Sequence, residues 1–325
     1  MKKEMWTAVL LVIAMAAGSL PAWAQQNYPV RPIRVLIPFP AAGAADTIGR
    51  TIAEPLAAQL RQTIVIDNRP GAAGRLATDL LAKAEPDGYT LLVGGVGPLA
   101  ISPWLYKKLP YDAERDFLPI TRAAEIINVM VVNPASGVRD PKQFIEWAKK
   151  RGDETRFGSS GPGQLDHLAG VNFQRLTGLR MTHVPYKGGG PALIDLVSGD
   201  LQVMLSTYVV AVPHVNAGRL RAIAVTTARR QPLLPDLPPI AETLPGFDIS
   251  NWNAIFAPAR TPARIAERLF AEFNKAMLVP EVKKRQNYAG IEPEGSPSRE
   301  AFAKFMREER ARWGKFIREA GIALE

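Results

Sequence analysis

Apolar positions in the first part of the chain follow two different periods in turn. Residues 34–39 form a short apolar run that ends at a turn, and apolar residues then recur at every fourth position from Ile48 to Leu60. The four-residue spacing is typical of one face of a helix. We therefore predict a strand followed by a helix over residues 46–60, with Pro55 as a candidate kink.

The alternation of strand and helix continues along the chain. A β-branched strand is predicted at residues 64–67, a helix at 76–84 and a strand at 90–93. Strands that alternate with helices at this spacing are typical of a parallel sheet with crossover helices. The first part of the chain is thus predicted to form one doubly wound α/β unit.

A second series of the same kind begins near Ile126 and predicts a second doubly wound unit. Its strands are expected at residues 126–132, 156–159, 181–184, 201–205 and 220–225, and its helices at 141–150, 165–176, 191–198 and 212–218.

The segment after the second series is predicted to return to the first unit. A Pro-rich connection at residues 231–245 leads to an apolar strand at 252–256 and two amphipathic helices at 262–277 and 298–320, which have no sheet of their own. We therefore predict two lobes joined by two crossings. Lobe 1 comprises residues 25–124 and 250–325, and lobe 2 comprises residues 125–249.

The N-terminal segment is predicted to be a cleavable signal peptide. Lys2 and Lys3 precede an apolar run, and Ala22-Trp23-Ala24 supplies a small-x-small cleavage pattern before Gln25. A membrane anchor is the alternative, but the uncharged stretch is short for a span and is broken before the cleavage pattern. Residues 1–24 therefore predict export, and we expect the mature protein in the periplasm.

Composition narrows the chemistry of the 325-residue chain. It contains no cysteine, which excludes disulfides, thiolate metal sites and a cysteine nucleophile. The formal net charge is +9, and the basic residues are mostly scattered without a nucleic-acid-binding motif. We predict no nucleic-acid partner, no metal and no cofactor, whereas a mild positive field favours anionic small molecules.

Three loops connect a strand to a helix through small residues, at residues 39–46, 94–98 and 158–163. Ligands of open α/β sheets bind where strands end and helix N-termini present free N–H groups. No loop matches G-x-G-x-x-G or the P-loop pattern, so a phosphate site is weakly indicated and a carboxylate fits as well. Each loop taken alone also fits a simple tight turn.

Side chains suited to catalysis are scarce. No G-x-S-x-G elbow is present, because Pro162 stands where its last glycine should be, and the histidines have no metal-binding spacing. His167 is interpreted as packing or bracing a loop rather than as a general base, and Asp46 as a helix cap rather than a ligand contact. A secreted hydrolase using Ser160 and His167 remains an alternative.

Two further groups have open alternatives. Tyr186 follows a strand and fits either a cleft position or a cover over the sheet edge. Ser206 and Thr207 end another strand, where their hydroxyls fit either a ligand contact or a helix cap.

Several ordered motifs resemble those of one family over essentially the whole chain. They include "YPVRPIRVLIPFPAAGAADTIGR", "IVIDNRPGAAG", "FGSSGPGQLDHLAG" and "THVPYKGGGPALIDLVSGDLQVM". These motifs are similar to those of the Bug-type, TctC-like periplasmic receptors of tripartite tricarboxylate transport systems. The resemblance implies a two-lobed periplasmic binding protein of the Venus flytrap type, without catalytic activity, in which each lobe is a doubly wound α/β sheet.

The resemblance also implies where a ligand binds. Members hold a carboxylate in the loop matching residues 38–46 and close it with the loop matching residues 159–167. The expected partners are a small carboxylate and, transiently, membrane transporter subunits, with the receptor as a monomer; a sensor for a membrane signalling partner is the alternative. The expected ligand-binding residues are Phe39, Pro40, Ala41, Ala42, Gly43, Ala44, Asp46, Gly95, Val96, Ser159, Ser160, Gly161, Gly163, Gln164, His167, Tyr186, Ser206 and Thr207.

The chain departs from the family pattern at positions expected to set selectivity. The commonest first loop reads Pro-Ala-Gly-Gly, whereas Ala41-Ala42-Gly43 stands before Ala44 here, and Gln164 and Leu165 stand where the second loop usually carries Ser or Thr. Ser206 and Thr207 stand where an Asp or Asn is frequent. A carboxylate clamp made mainly of backbone tolerates these changes, so they bear on which carboxylate is bound.

Overall fold

A computed structural model describes residues 28–322, which form two β-sheets flanked by helices. The predicted signal peptide and its cleavage site before Gln25 lie outside the described residues. None of the helices within residues 28–322 combines the length and the apolar composition needed to cross a membrane.

The strands follow one another along the described chain as β1 (Ile33–Ile37), β2 (Ile64–Asn68), β3 (Thr90–Gly95), β4 (Phe117–Ile126), β5 (Asn128–Val132), β6 (Arg156–Ser159), β7 (Thr182–Pro185), β8 (Val203–Thr207), β9 (Arg221–Val225), β10 (Asn251–Pro258) and β11 (Ile291–Pro293).

The helices are α1 (Ala44–Leu60), α2 (Arg75–Ala82), α3 (Ser102–Leu105), α4 (Pro141–Arg151), α5 (Leu165–Thr177), α6 (Gly189–Ser198), α7 (Tyr208–Asn216), α8 (Ala263–Met277), α9 (Pro280–Tyr288) and α10 (Arg299–Glu319).

The two sheets share one topology. The first has the order β2-β1-β3-β10-β4-β11 and the second the order β7-β6-β8-β5-β9. In each sheet three parallel strands are followed by one antiparallel strand, β10 or β5, that has just arrived from the other sheet. Strands β1 and β6 are therefore equivalent central strands, and the loops after them occupy equivalent positions in the two lobes.

The chain passes from the first sheet to the second at a single residue. Strand β4 ends at Ile126 and β5 begins at Asn128. Between them, the N–H of Ile127 donates to the carbonyl of Gly290 (2.9 Å), and its carbonyl accepts from the N–H of Tyr208 (2.8 Å). The strand predicted at residues 126–132 is therefore confirmed from Asn128 onward, but its predicted start is wrong, because Ile126 ends β4 and the continuous apolar run hides the passage between two sheets.

The return passage lies beside the first one. The N–H of Ile249 still bonds to Thr226 next to β9, whereas Asn251 begins β10 in the first sheet. The side-chain amide of Asn251 donates to Oδ1 of Asn128 at 3.0 Å, so that a hydrogen bond joins the two passages. The lobes are thus connected by two adjacent, mutually bonded segments.

Helix α1 shows how the apolar pattern builds the core. The four residues with four-residue spacing, Ile48, Ile52, Leu56 and Leu60, are all at most 3% exposed. Burial of side chains of this size stabilises the fold by about 2 kcal/mol each. Pro55 lies inside the helix, which continues to Leu60. The predicted apolar face of α1 is confirmed.

The C-terminal segment contains more structure than the sequence predicts. Helices α8 and α10 pack against β4, and α9 packs against α1 and β11. The polar helix α9 and the three-residue strand β11 were not predicted, since α9 buries only Val282 and Gln286. Helix α7 begins at Tyr208 rather than at residue 212, because it follows β8 directly.

Candidate functional site

Three loops of the first lobe meet at the end of the central strands. A Cβ atom added to Gly74 would lie 3.3 Å from Pro38 and from Phe39, and 3.5 Å from Pro98. Pro38 and Phe39 follow β1, and Pro98 follows β3, which pairs with β1 in parallel. The loops after β1 and β3 therefore lie next to each other, with the segment after β2 between them.

The loop after β1 leads directly into the N-terminus of α1. Gly43 is the N-cap, with φ −82° and ψ 173°, and no side chain caps the helix at this residue. The first N–H groups of a helix have no acceptor within it, and they carry the positive end of its dipole. The preceding Pro40, Ala41 and Ala42 are exposed. This part of the lobe presents backbone donors with small side chains around them.

Asp46 braces this loop from behind. It is the third residue of α1, and its Oδ2 accepts the N–H of Ala42 at 2.9 Å. Arg50 Nε lies 2.9 Å from both carboxylate oxygens, and Asn68 donates to Oδ1 at 2.9 Å. The prediction of Asp46 as the helix cap is wrong, because Gly43 is the N-cap and Asp46 instead bonds back to the loop before it; the residue is 3% exposed, which does not fit an open ligand contact.

Hydrogen bonds to neighbouring groups stabilise the ionised form of Asp46. Burial alone raises the pKa of a carboxyl, but hydrogen bonds from Arg50, from the Ala42 N–H and from Asn68 outweigh it and hold the pKa of Asp46 below its ordinary value. The brace therefore stays ionised at neutral pH.

Ala42 adopts an uncommon backbone conformation. Its φ is +65°, in the left-handed region that costs an L-residue with a Cβ atom roughly 1–2 kcal/mol. The bond from its N–H to Asp46 helps hold it there. Within the stretch that departs from the family pattern, Ala42 thus has a conformational cost.

Side chains of the first lobe pack closely against the end of β3 and the loop that follows it. A Cβ atom on Gly94 would clash with Leu99 and Phe256, and one on Gly95 would lie 2.6 Å from the amide nitrogen of Asn253. Val96 is 3% exposed and belongs to the core. The side-chain faces of Gly95 and Val96 are therefore occupied by packing, and only their backbone groups remain for the predicted ligand contact.

In the second lobe, Ser159 ends β6 and forms a hydrogen bond with a histidine. Its Oγ lies 2.6 Å from Nε2 of His183 on the neighbouring strand β7. The ring of His183 stacks on that of His167, with centroids 4.1 Å apart. Burial lowers the pKa of both histidines, and His183 lowers that of His167 further, to about 4. Both rings are therefore neutral at neutral pH.

The loop after β6 is also braced by an acid. Asp166, in the first turn of α5, accepts the N–H of Ser160 at 2.7 Å and that of His167 at 2.9 Å. It forms no salt bridge within the described chain. Burial raises the pKa of Asp166 to about 6, and hydrogen bonds offset only part of that effect.

The hydrolase alternative is not supported in the form suggested by the sequence. The structure pairs Ser159, which is 0% exposed, with His183; it does not pair Ser160 with His167. Nδ1 of His167 instead accepts the N–H of Gly163 at 3.2 Å, which is the expected bracing role. The Ser159–His183 pair was missed because the two residues are distant in sequence and meet only through the β6–β7 pairing.

Tyr186, Ser206 and Thr207 also lie at strand ends of the second lobe. The Tyr186 hydroxyl donates to Asp195 on α6. Burial, and to a smaller extent this hydrogen bond, raises the pKa of Tyr186 to about 12. Ser206 is 1% exposed. Thr207 is the N-cap of α7, but its side chain forms no capping bond. None of these contacts involves a ligand, so the ligand contacts of all three residues stay predictions.

The two lobes approach each other closely at one point. Oε1 of Gln164, the N-cap of α5 in the second lobe, lies 3.3 Å from the point that a Cβ atom on Gly97 would occupy in the first. Gly97 follows β3 and precedes Pro98, so Gln164 reaches the group of loops that meet around Gly74. Loops from both lobes therefore face one cleft.

Two α/β lobes, two adjacent connections and helix N-termini facing one cleft define a periplasmic binding protein. Residues 48–322 match the family model described as "Tripartite tricarboxylate transporter family receptor". The chain belongs to this family, as the resemblance to Bug-type and TctC-like receptors implied. Members are solute-binding receptors.

Individual proteins show the same relationship. The "UPF0065 protein in tcbD-tcbE intergenic region" of Pseudomonas sp. (strain P51) is 37% identical over 311 residues, which cover 95% of this chain and 92% of that protein. The structure of R. palustris Rpa4515 with adipate has a TM-score of 0.86 and 34% identity, covering 91% of this chain and 99% of the other. The structure of MatC (Rpa3494) from Rhodopseudomonas palustris with bound malate has a TM-score of 0.81 and 32% identity, covering 89% of this chain and 100% of the other.

Proposed function

We propose that this receptor captures a small di- or tricarboxylate or an aromatic acid between its lobes and delivers it to the membrane subunits of a tripartite tricarboxylate-type transporter. The observation that carries the proposal is the loop from Phe39 to Asp46. Backbone N–H groups at the start of α1 lie next to exposed small residues, and an ion-paired Asp46 fixes the loop from behind. A carboxylate suits such a helix N-terminus.

Related structures support a carboxylate as the ligand. The Rpa4515 structure contains adipate, and the MatC structure contains malate. The chain carries a formal net charge of +9, which favours the approach of anions. We propose that the receptor acts as a periplasmic monomer without catalytic activity, after removal of residues 1–24.

The proposed division of labour assigns the carboxylate to lobe 1, residues 25–124 and 250–325, and closure to lobe 2, residues 125–249. The proposed contacts come from the loops that face the cleft, with backbone groups dominating in lobe 1. These are Phe39, Pro40, Ala41, Ala42, Gly43, Ala44, Gly95 and Val96 in lobe 1, and Ser159, Ser160, Gly161, Gly163, Gln164, His167, Tyr186, Ser206 and Thr207 in lobe 2.

Thermal unfolding with adipate, malate and their dimethyl esters tests the carboxylate assignment. We expect one or both acids to raise the Tm and the neutral esters to leave it unchanged, since a ligand that binds only the folded form stabilises it by mass action. Equal stabilisation by ester and acid would exclude recognition of the carboxylate.

Gly43→Val tests the assignment to the first loop. The φ of Gly43 suits any residue, and an added Cβ atom meets only the Pro40 carbonyl at 3.5 Å, so the variant is expected to fold. The branched side chain should obstruct the backbone donors and weaken binding at least tenfold. Ala58→Val, on an exposed position of α1, is the matched control. Unchanged affinity in folded Gly43→Val would exclude this loop as the clamp.

Solution scattering tests closure of the lobes. A ligand that touches loops of both lobes binds the closed form better, and it shifts the population only by that difference in affinity. We expect a smaller radius of gyration at saturation with a carboxylate that binds. No change would mean a permanently closed receptor or a ligand held by one lobe.

A further inference from the structure

Gln164 combines burial with an amide that has no partner in the described chain. The residue is 8% exposed and occupies the N-cap of α5, yet its side chain does not cap that helix. Its backbone groups bond to Gly161 and Leu168, whereas its carboxamide makes no hydrogen bond with residues 28–322. The donor and the acceptor of this carboxamide are therefore both available to a ligand in the cleft.

The direction of the side chain is fixed by its contact with the opposite lobe. Apart from the neighbouring residues and helix backbone of Gly97 itself, Oε1 of Gln164 is the sole atom within residues 28–322 that lies within 4 Å of a Cβ atom placed on Gly97. The φ of Gly97 does not itself require glycine, so the missing side chain matters for space. Gln164 thus extends across the cleft toward the loops that surround the α1 N-terminus.

The loop that carries Gln164 contributes neutral or acidic side chains. His167 and His183 are neutral at neutral pH, and Asp166 is buried against the Ser160 and His167 N–H groups. The segment from Ser159 to His167 contains no Lys or Arg. A ligand end that faces this loop meets hydrogen-bonding groups and no cationic side chain of the loop itself.

We propose that Gln164 is the specificity-determining residue for the end of the ligand farthest from the α1 N-terminus, and that it selects carboxylates whose far end can form hydrogen bonds, charged or not. This inference rests on the proposed capture of a carboxylate. An amide both donates and accepts, so it accommodates a second carboxylate, a carboxamide or a hydroxyl. A purely alkyl end would exclude water from the amide and offer it no hydrogen bond in return, which is unfavourable.

The test uses sets of matched ligands from four to six carbons, in each case the dicarboxylate, its monoamide and the alkyl monocarboxylate, measured by titration calorimetry. For the length that binds best, we expect dicarboxylate and monoamide to agree within about tenfold and the alkyl acid to bind at least tenfold more weakly. Gln164→Met keeps the length of the side chain without the amide. It should lower the affinity for the two polar ligands about tenfold or more and abolish the discrimination, whereas the control Gln143→Met on exposed α4 should not.

A second variant confirms the contact across the cleft. Gly97→Ala places a methyl group 3.3 Å from Gln164 Oε1, so it should weaken binding in the wild-type background and much less in Gln164→Met if the flexible thioether moves aside.

Two results would overturn the inference while leaving the proposed carboxylate function in place. One is a folded Gln164→Met variant that keeps the wild-type discrimination. The other is a wild type that binds the dicarboxylate but rejects its monoamide, which would indicate a cation at the far end. If the wild type binds none of these acids, the proposed carboxylate function fails together with this inference. Binding by the wild type with no effect of Gln164→Met defeats the inference alone.

Discussion

The loops after β1 and β6 follow one plan but are held by different forces. Each follows a central parallel strand and leads into a helix whose first turn carries an acid that accepts loop N–H groups. Asp46 is paired with Arg50, and its pKa is lowered. Asp166 has no salt bridge in the described chain, and burial raises its pKa to about 6.

The comparison indicates that equivalent positions have different tasks. The first loop is fixed by an ion pair and exposes Pro40, Ala41 and Ala42, which suits a constant set of backbone donors. The second is fixed by uncharged hydrogen bonds, by stacked histidines and by a carboxyl that gains a proton in mildly acidic solution. In mildly acidic solution, the contribution of the second loop to the free energy of unfolding should therefore change with pH, whereas the contribution of the first loop should not.

Asp46→Ala should have the largest effect, because it leaves Arg50, Asn68 and the Ala42 N–H without their shared acceptor. We expect the free energy of unfolding in urea at neutral pH to fall by about 3 kcal/mol, and carboxylate affinity to fall with it. Glu281→Ala removes an exposed pair with Arg285 of the same i,i+4 spacing and should cost less than about 0.5 kcal/mol. Equal losses in the two variants would show that Asp46 stabilises the fold no more than an exposed ion pair does.

Asp166→Asn should reveal the pH dependence of the second loop. A folded-state pKa above the unfolded value means that the folded protein binds the extra proton, so the contribution of Asp166 is most favourable at low pH and is lost as the pH rises through about 6. Between pH ~7 and ~4, wild type should gain about 2 kcal/mol relative to the variant.

Urea unfolding of both proteins at several pH values in this range measures that difference. His167 and His183 act in the opposite sense, since their lowered pKa values make acidification unfavourable, and the subtraction of the variant removes their effect. A difference that does not change with pH would contradict the raised pKa of Asp166.

Ser159→Ala tests the neutral hydrogen bonds of the second loop. The substitution removes the partner of His183 Nε2 at a fully buried position, so unfolding should become easier by about 1 kcal/mol. Ser198→Ala, at an exposed serine of the same lobe, is the control and should have a smaller effect. Ester turnover by the wild type that Ser159→Ala abolishes would instead revive the hydrolase alternative.

Ala42→Gly should have the smallest effect and the opposite sign. Glycine relieves the left-handed conformation at φ +65°, while the greater freedom of the unfolded chain cancels part of the gain. A net stabilisation of about 0.5 kcal/mol is expected by thermal unfolding. Ala41→Gly, in the same loop but without a positive φ, should destabilise the protein, and the same sign for both variants would contradict the strain at Ala42.

Strong periodicity and strand ends could be predicted from the sequence. The buried face of α1 follows from its four-residue spacing, and the loops that face the cleft follow from the rule that parallel strands end at one edge. Strand β4 could not be predicted, because Pro119, Arg122 and Glu125 interrupt its apolar pattern and pairing with β10 decides its conformation.

Contacts between distant segments account for most of what was missed at the site. The bond between Ser159 and His183 depends on strand pairing, and the approach of Gln164 to Gly97 depends on how two lobes meet. Neither leaves a local signal. The backbone angles of Ala42 and Gly43 were equally hidden, because loop conformation depends on the remote partner Asn68 as well as on Asp46.

The short connection at Ile127 limits the conformational entropy that the chain can lose when a ligand binds. A single residue separates β4 from β5, and its N–H and carbonyl bond to opposite lobes. Along this path, a rotation of one sheet against the other is concentrated in very few backbone torsions. Such a short joint has little conformational freedom to lose, in contrast to a flexible linker of many residues. Affinity for a ligand is therefore expected to follow from the contacts in the cleft, with almost no chain-ordering cost subtracted from them.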